Sequence, residues 1–150
     1  MNTGTLSEII AQEYLKNNKG VTCMKSPGGS LFPYFYKGGE IHCLKYGSKF
    51  KDYERLFEVM RLEEEFIYQN NKKLKIWIDL YETSITGEVL ENLVNNLVNI
   101  NDYIKKVSFV GLSGVSKWRL KREIKKLDIS YPVSFFSDPE EAKTWLVSER

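Results

Sequence analysis

The second half of the chain alternates between continuous apolar runs and amphipathic stretches. The runs LKIWIDL (74–80), KKVSFVG (105–111) and PVSFF (132–136) are typical of strands that are buried on both faces of a sheet. Between them, apolar residues recur every three to four positions over 87–104 and 116–127, which predicts amphipathic helices. Strands joined by helices in this way are parallel, and their crossovers are right-handed in almost every known case.

Two more helices are predicted around this unit. One, over 51–70, precedes the first strand and has the same periodicity. The other follows PVSFF, where Ser137 or Asp138 is placed to cap it and Pro139 takes a favoured first-turn position. The polar residues of the helices, Asn96 among them, are predicted to face solvent.

The first half of the chain has shorter segments that are separated by turn residues. VTCMK (21–25), LFPYFYK (31–37) and EIHCLKYG (40–47) are rich in strand-forming residues, and the turns between them contain glycine, which predicts an antiparallel meander. Because Pro33 lacks a backbone donor, its segment is predicted to be an edge strand or an irregular ribbon. A further helix is predicted over 5–17.

The order of elements predicts one α/β domain over residues 1–150. Its sheet is mixed, with an N-terminal antiparallel meander followed by parallel β-α-β units, and its helices pack mainly on one face. A length of 150 residues with 42% hydrophobic and 28% charged residues is ordinary for a globular domain with a sizeable core. Trp77 and Trp145 are predicted to lie in that core because their neighbours are apolar.

Composition and charge narrow the classes of function. A formal net charge of +2 is too small to predict nucleic-acid binding, which usually needs a strong basic excess. No apolar run approaches the roughly 18 residues of a membrane-spanning helix. The start, MNTGTLSEIIAQEY, lacks the features of a signal peptide, so a cytoplasmic location is predicted.

Cys23, Cys43 and His42 are the only cysteine and histidine ligands available for a metal site. His42 and Cys43 are neighbours in a predicted strand, so their side chains point to opposite faces. Too few ligands then remain on one side for a structural zinc, which takes four. We therefore predict reduced cysteines packed as small apolar side chains, and neither a metal nor a cofactor.

The stretch VGLSGVSKWRLKREIKK (110–126) has the glycine, serine and lysine of a phosphate-binding loop but not the spacing of one. A structural turn into a helix is therefore predicted. That helix is strongly basic, and it is interpreted either as a solvated face or as a patch for an acidic protein surface or anionic lipid. Nucleic acid is not predicted to bind, because the patch lacks the interleaved aromatic residues of a stacking platform. The patch residues are Lys117, Lys121, Arg122 and Lys125.

Ligands of open α/β sheets bind beyond the carboxyl ends of the strands, so that rim is a second candidate region. Asp79 and Glu82 follow the first parallel strand, and Gly111 and Ser113 follow the second. A magnesium or catalytic site would place carboxylates there. With no histidine on the rim and no spacing motif, capping and surface roles are favoured over catalysis.

The third candidate is the loop that leads from the first parallel strand into the next helix. Ser84, Ile85, Thr86 and Gly87 stand at the helix start. Ser84 or Thr86 is placed to cap the helix. A phosphate at the same position would be stabilised by the positive end of the helix dipole. Ile85 is predicted to be an apolar anchor for a partner at the loop tip.

Several of these segments together resemble the STAS-like superfamily. The likeness covers about residues 40–148 and rests on IWIDL, TGEVLENL, KKVSFVGLSG, PVSFF and, most specifically, the closing FFSDPEEAKTWL. Residues 1–39, with the first helix and the aromatic LFPYFY ribbon, are additions to that pattern. The closer likeness is to small bacterial STAS-like proteins of unassigned activity.

The resemblance implies a non-catalytic regulatory module. In anti-sigma-factor antagonists of this superfamily, a serine in an Asp-Ser-Ser-Gly-like turn is phosphorylated by a partner kinase; the matching turn here is Ser84-Ile85-Thr86-Gly87, which is shorter and lacks the preceding aspartate. We therefore predict a cytoplasmic protein-interaction module that docks a partner through residues 82–87. The alternative is a carrier of a small apolar or lipid-like ligand, since the fold also resembles the CRAL-TRIO lipid-transfer fold.

Overall fold

A computed structural model describes residues 24–148. The predicted helix over 5–17 and Cys23 lie outside the described residues, as does most of the predicted strand over 21–25. The strands are β1 (Met24–Lys25), β2 (Leu31–Phe32), β3 (Tyr34–Tyr36), β4 (Gly39–Lys45), β5 (Leu74–Asp79), β6 (Ile104–Val110) and β7 (Val133–Phe136). The helices are α1 (Tyr53–Asn70), α2 (Gly87–Asn99), α3 (Gly114–Lys125) and α4 (Pro139–Val147).

The predicted α/β class with a mixed sheet is confirmed. The main sheet has the order β3-β4-β5-β6-β7; β3 pairs with β4 antiparallel, and the later pairs are all parallel. The predicted single meander is instead divided at Pro33, because β2 pairs with β1 in a separate two-stranded sheet while β3 forms the edge of the main one. Pro33 thus ends one ribbon where the next begins.

Helices α1, α2 and α3 cover one face of the main sheet, and α4 lies on the other. Along β5, Ile76 and Ile78 are fully buried in the core cluster that also holds residues of α1, α2 and α3. The residue between them, Trp77, points the opposite way and meets Lys143 of α4, whose Nζ atom lies 4.8 Å from the indole centroid. The main core therefore sits between the sheet and three helices.

Trp77 and Trp145 are not in that main core, which corrects the prediction. Both are half-buried in a thinner layer beneath α4. Trp145 packs against Phe136, with 5.9 Å between ring centroids, and lies under the Nζ atom of Lys106 at 4.4 Å. A hydrophobic pattern marks a tryptophan as apolar but does not say which face of the sheet it covers.

The helix predicted over 87–104 ends earlier, and the reason is local. Its backbone turns at Ile100 and passes through a 3-10 turn, and Ile104 already pairs with Leu74 as the first residue of β6. Asn96, predicted to face solvent, is buried instead. It accepts a hydrogen bond from the Tyr46 hydroxyl at 2.9 Å and donates to Glu64 Oε2 at 2.7 Å, so its amide satisfies two partners from other elements.

A buried polar cluster ties the turn after β1 to helix α1. Glu63 and His42 are fully buried, with 3.2 Å between Oε1 and Nε2. Glu63 Oε2 accepts hydrogen bonds from the Ser26 hydroxyl at 2.8 Å and from the Gly28 amide at 3.1 Å. Moving the turn along the helix would break these hydrogen bonds and leave buried polar groups without partners. The cluster therefore fixes the position of the turn on α1.

Candidate functional site

The loop after β5 is held by backbone pairing that continues past the ends of the strands. The Ser48 amide donates to Tyr81 O at 2.6 Å, the Phe50 amide to Glu82 O at 2.8 Å and the Ser84 amide to Phe50 O at 2.9 Å. The Thr83 hydroxyl is buried beneath this ladder and donates to Tyr46 O at 2.8 Å. The rim between β4 and β5 is therefore an ordered ledge.

The four predicted docking residues differ in what they do at this ledge. Thr86 caps α2, since its hydroxyl oxygen accepts from the Val89 amide at 3.2 Å. Ile85 is partly buried and packs against the main core, so it is not an exposed anchor at the loop tip. Ser84 and Gly87 are exposed. Thr86 is exposed as well, but its hydroxyl caps the helix, whereas the hydroxyl of Ser84 caps none of the described helices.

Three of the rim candidates, Asp79, Gly111 and Ser113, have structural roles. Asp79 Oδ1 accepts from the Tyr81 amide at 3.0 Å, and the Ser113 hydroxyl caps α3 by accepting from the Ser116 amide at 3.3 Å. Gly111 has a φ of +90°, and a Cβ there would lie 2.4 Å from Tyr81 N, so only glycine fits where β5 and β6 end side by side. Glu82 is exposed.

Residues 24–148 contain no group of three or more histidine, cysteine, aspartate or glutamate side chains that could hold a metal ion. The carboxylate of Asp79 is turned to a backbone amide, and the hydroxyls of Thr86 and Ser113 each cap a helix. This arrangement suits a rim that holds loops in place. None of the helices within the described part of the chain is both long enough and apolar enough to cross a membrane.

The basic helix α3 carries exposed apolar side chains that the sequence patterns did not single out. Trp118 is 59% exposed and Val115 is 70% exposed. Positions 115, 118, 122 and 125 lie on one face at helical spacing, so these two residues share that face with Arg122 and Lys125. Arg122 lies over the Trp118 ring, with 5.2 Å from its Cζ atom to the ring centroid.

Trp118 is the single aromatic residue of α3, which we considered above only for the interleaved aromatic residues of a stacking platform. The signal for it was present in the sequence: Leu120, Ile124 and Leu127 define the inward stripe of the helix, and Trp118 falls about opposite to them. Leu120 and Ile124 are indeed buried. The helical periodicity therefore indicated that Trp118 is exposed on the basic side of the helix.

A groove runs between α2 and α3. One part, of about 260 Å³, is lined by Leu90 and by Trp118, Arg119, Arg122 and Glu123. An adjoining hollow of about 220 Å³ shares Leu90 and Glu123 and extends along α2 to Gly87, Glu91 and Val94. We call the two together the α2–α3 groove.

The groove brings two of the predicted regions together. Arg119 Nη2 lies 3.9 Å from the position that a Cβ on Gly87 would occupy, so the basic helix adjoins the loop over 82–87. Glu123 is paired with Lys126 at 3.1 Å, which leaves the α3 wall with a basic excess. Glu91 belongs to the opposite, α2 wall. Lys121 lies on the side of α3 towards β7, over the Phe135 ring at 5.2 Å.

Compared with protein-family models, curated proteins and solved structures, the chain matches none of them. Its function is therefore argued from the geometry of the α2–α3 groove and its surroundings.

Proposed function

We propose that the chain is a non-catalytic interaction module of STAS-like type that docks an acidic segment of a protein partner in the α2–α3 groove, next to residues 82–87. The observation that carries this proposal is the exposed Trp118 beneath the Arg122 guanidinium, on a helix with a basic excess. Tryptophan and arginine are the residues that most often dominate protein–protein binding. Trp118 and Val115, 59% and 70% exposed on the same face of α3, form an apolar patch rimmed by charged side chains, which is typical of interaction sites.

The charges of the groove favour an acidic partner. Arg119 and Arg122 line the α3 wall, and Lys125 lies one turn beyond on the same face. Such a surface steers acidic partners towards it and repels basic ones. The hollow beside Leu90 is small, so it suits one or two apolar side chains of the partner rather than a large ligand.

The resemblance to regulatory STAS domains gives the loop a role as a switch in this proposal. A phosphate on Ser84 would add negative charge close to the end of the groove where Arg119 adjoins Gly87. It would compete with the acidic partner for that arginine. A phosphate on Thr86 would instead disturb the cap of α2, so Ser84 is the favoured site of the two.

The experiment begins by capturing partners from the native cell on the full chain and on the Trp118→Ala/Arg122→Glu variant. The affinity of each captured protein is then measured by titration. We expect the double variant to bind at least tenfold more weakly, about 1.4 kcal/mol, while its free energy of unfolding stays within about 0.5 kcal/mol of wild type. Raising the salt concentration should weaken binding to the wild type.

Matched controls keep the interpretation specific. Phe35→Ala removes an equally exposed aromatic ring from the edge strand β3, and Lys105→Glu reverses a basic charge at the start of β6. Both should bind like wild type. If they weaken binding as much as the double variant does, the groove is not the docking site and the proposal fails.

Substitutions in the loop test the switch separately. Ser84→Asp should weaken partner binding at least tenfold with an unchanged melting temperature. Thr86→Asp should keep the helix cap, since aspartate caps as well as threonine does. Ile85→Ala should lower stability rather than affinity, because Ile85 packs on the core. Wild-type affinity for Ser84→Asp would remove the loop from the proposal.

A further inference from the structure

A pocket of about 340 Å³ lies on the face of the sheet opposite the α2–α3 groove. It is bounded by the ribbon of β2 and β3, by β4 and β5, and by α4. Its apolar walls are Leu31, Tyr34, Cys43 and Trp77. Pockets of about 300–1,000 Å³ with mainly apolar walls and a few polar groups are the usual sites of small molecules.

The polar groups of this pocket that carry a charge are both cationic. Lys45 and Lys143 line it, and no carboxylate of residues 24–148 does. Lys143 is held in place by aromatic rings, with its Nζ atom 4.8 Å from the Trp77 centroid and 5.8 Å from the Tyr34 centroid. Lys45 donates to Gly29 O at 3.3 Å and is otherwise exposed. An anion entering the pocket would meet two ammonium groups.

Glu140 is the nearest acid to Lys143, and it does not occupy the pocket. Its Oε1 atom lies 3.6 Å from Lys143 Nζ, but its side chain is 65% exposed. Because the Glu140 end of this pair is open to water, the pair is screened and contributes little free energy, so Lys143 can exchange it for a better partner. Lys143 itself is only 14% exposed, and an ion pair made inside the pocket would be screened less by water.

Cys43 forms part of the wall as a neutral thiol. Burial raises its pKa to about 12, so it carries no charge at physiological pH. A thiol in this state is an apolar surface and neither a nucleophile nor a competing anion. The pocket therefore combines flat aromatic and aliphatic walls with positive charge at its edge.

We propose that this pocket binds a small organic carboxylate with a planar apolar body. The body lies against Tyr34 and Trp77, and the carboxylate is shared by Lys45 and Lys143. Burial of the flat ring supplies most of the affinity, and the two lysines select an acid over a neutral molecule of the same shape. This site is separate from the α2–α3 groove, so either proposal stands without the other.

The test uses 2-naphthoate as the probe, titrated into the full chain by calorimetry. Its neutral isostere 2-naphthalenemethanol and the small anion acetate are the comparison ligands. We expect naphthoate to bind with a dissociation constant below about 1 mM, the neutral isostere to bind at least tenfold more weakly, and acetate to show no binding in the same range. Equal binding of naphthoate and its isostere would overturn the assignment to carboxylates, and no binding of naphthoate would overturn the site.

Variants then locate the binding. Lys143→Met and Lys45→Met keep the aliphatic stems and remove one charge each, and each should weaken naphthoate binding about tenfold. Lys105→Met, at the start of β6 and outside both proposed sites, is the control and should change affinity less than twofold. Lys45 is exposed, so its variant tests the site even if Lys143→Met does not fold. Wild-type affinity in Lys45→Met, or amide and indole NMR shifts outside the pocket, would show that naphthoate binds elsewhere.

Discussion

The two faces of the main sheet are packed in different ways. Under α1, α2 and α3 the strand residues are fully buried, as Leu44, Ile76 and Phe109 are, and their neighbours are apolar. Under α4 the layer is half-open, and it holds tryptophans and lysines in contact, such as Trp145 with Lys106. One face thus carries most of the hydrophobic stabilisation, and the other combines charged side chains with concave surface.

We call the face under α1, α2 and α3 the closed face and the face under α4 the half-open face. The largest loss of stability should come from a substitution at the centre of the closed face. Phe109→Ala removes a ring that is 1% exposed and stacks on Phe135 with 5.1 Å between centroids. We expect the free energy of unfolding to fall by about 3–5 kcal/mol, as it does for other large-to-small core changes. Urea denaturation measures this, and an unchanged midpoint would show that the closed face is not the main core.

The next largest loss of stability should come from removing the central acceptor of the buried polar cluster, which also lies on the closed face. Glu63→Ala leaves the Ser26 hydroxyl, the Gly28 amide and the His42 ring without their buried acceptor. We expect a loss of about 2–5 kcal/mol, because buried polar groups without partners are costly.

Glu58→Ala is the matched control for the polar cluster, since Glu58 is exposed on the same helix. It should change the urea midpoint by less than about 0.5 kcal/mol. If the two variants unfold at the same urea concentration, the cluster is not a source of stability.

The half-open face should respond less to the loss of an equally large side chain. Trp145→Ala removes an indole that is only partly buried, and water already reaches its surroundings. We expect a loss of about 1–3 kcal/mol, smaller than for Phe109→Ala, since less surface is returned to water. Equal losses for the two variants, measured in urea under the same conditions, would remove the distinction between the faces.

The smallest effect concerns pH. Burial raises the pKa of the Glu64 carboxyl above its ordinary value of 4.5, and hydrogen bonds from Asn96 and Asn99 oppose this in part. A carboxyl whose pKa is raised on folding favours the folded state below 4.5, and this contribution is lost as the pH rises through the folded pKa.

Glu64→Gln should therefore gain stability relative to wild type on going from about pH 4 to pH 7. The gain should stay below about 1 kcal/mol because the side chain is half-exposed to water. Thermal melts of both proteins at the two pH values measure it. A relative loss of stability over this range would reverse the sign of the argued pKa shift.

The difference between the faces also explains how far the sequence could be interpreted. LKIWIDL predicted a buried strand correctly, but its continuous apolar run does not distinguish Ile76, which faces three helices, from Trp77, which faces α4. Asn96 and Glu63 look like outward residues of amphipathic helices. They are buried because Tyr46, just after β4, contacts Asn96, and His42 in β4 contacts Glu63. Such long-range partners are invisible to a local pattern.

The candidate sites were predictable to a different degree. The loop over 82–87 and the basic helix were found from turn residues and charge, yet their proximity depends on the packing of α2 against α3. The exposure of Trp118 could have been predicted from the helical periodicity of α3. The pocket beneath α4 could not, because Lys45, Trp77 and Lys143 come from three elements that are distant in sequence.

The ladder that joins Ser48 and Phe50 to the loop after β5 has a consequence for the kinetics of recognition. Amides in such surface loops normally exchange with solvent within seconds, but those of Ser48, Phe50 and Ser84 are hydrogen-bonded across the ledge and should exchange as slowly as strand amides. Because the ledge is already ordered, binding there would not incur the entropic cost of ordering it. That cost is roughly 0.5–1.5 kcal/mol for each side chain that would otherwise be immobilised. For a partner docking next to residues 82–87 as proposed above, this predicts binding without a change in the backbone of the ledge.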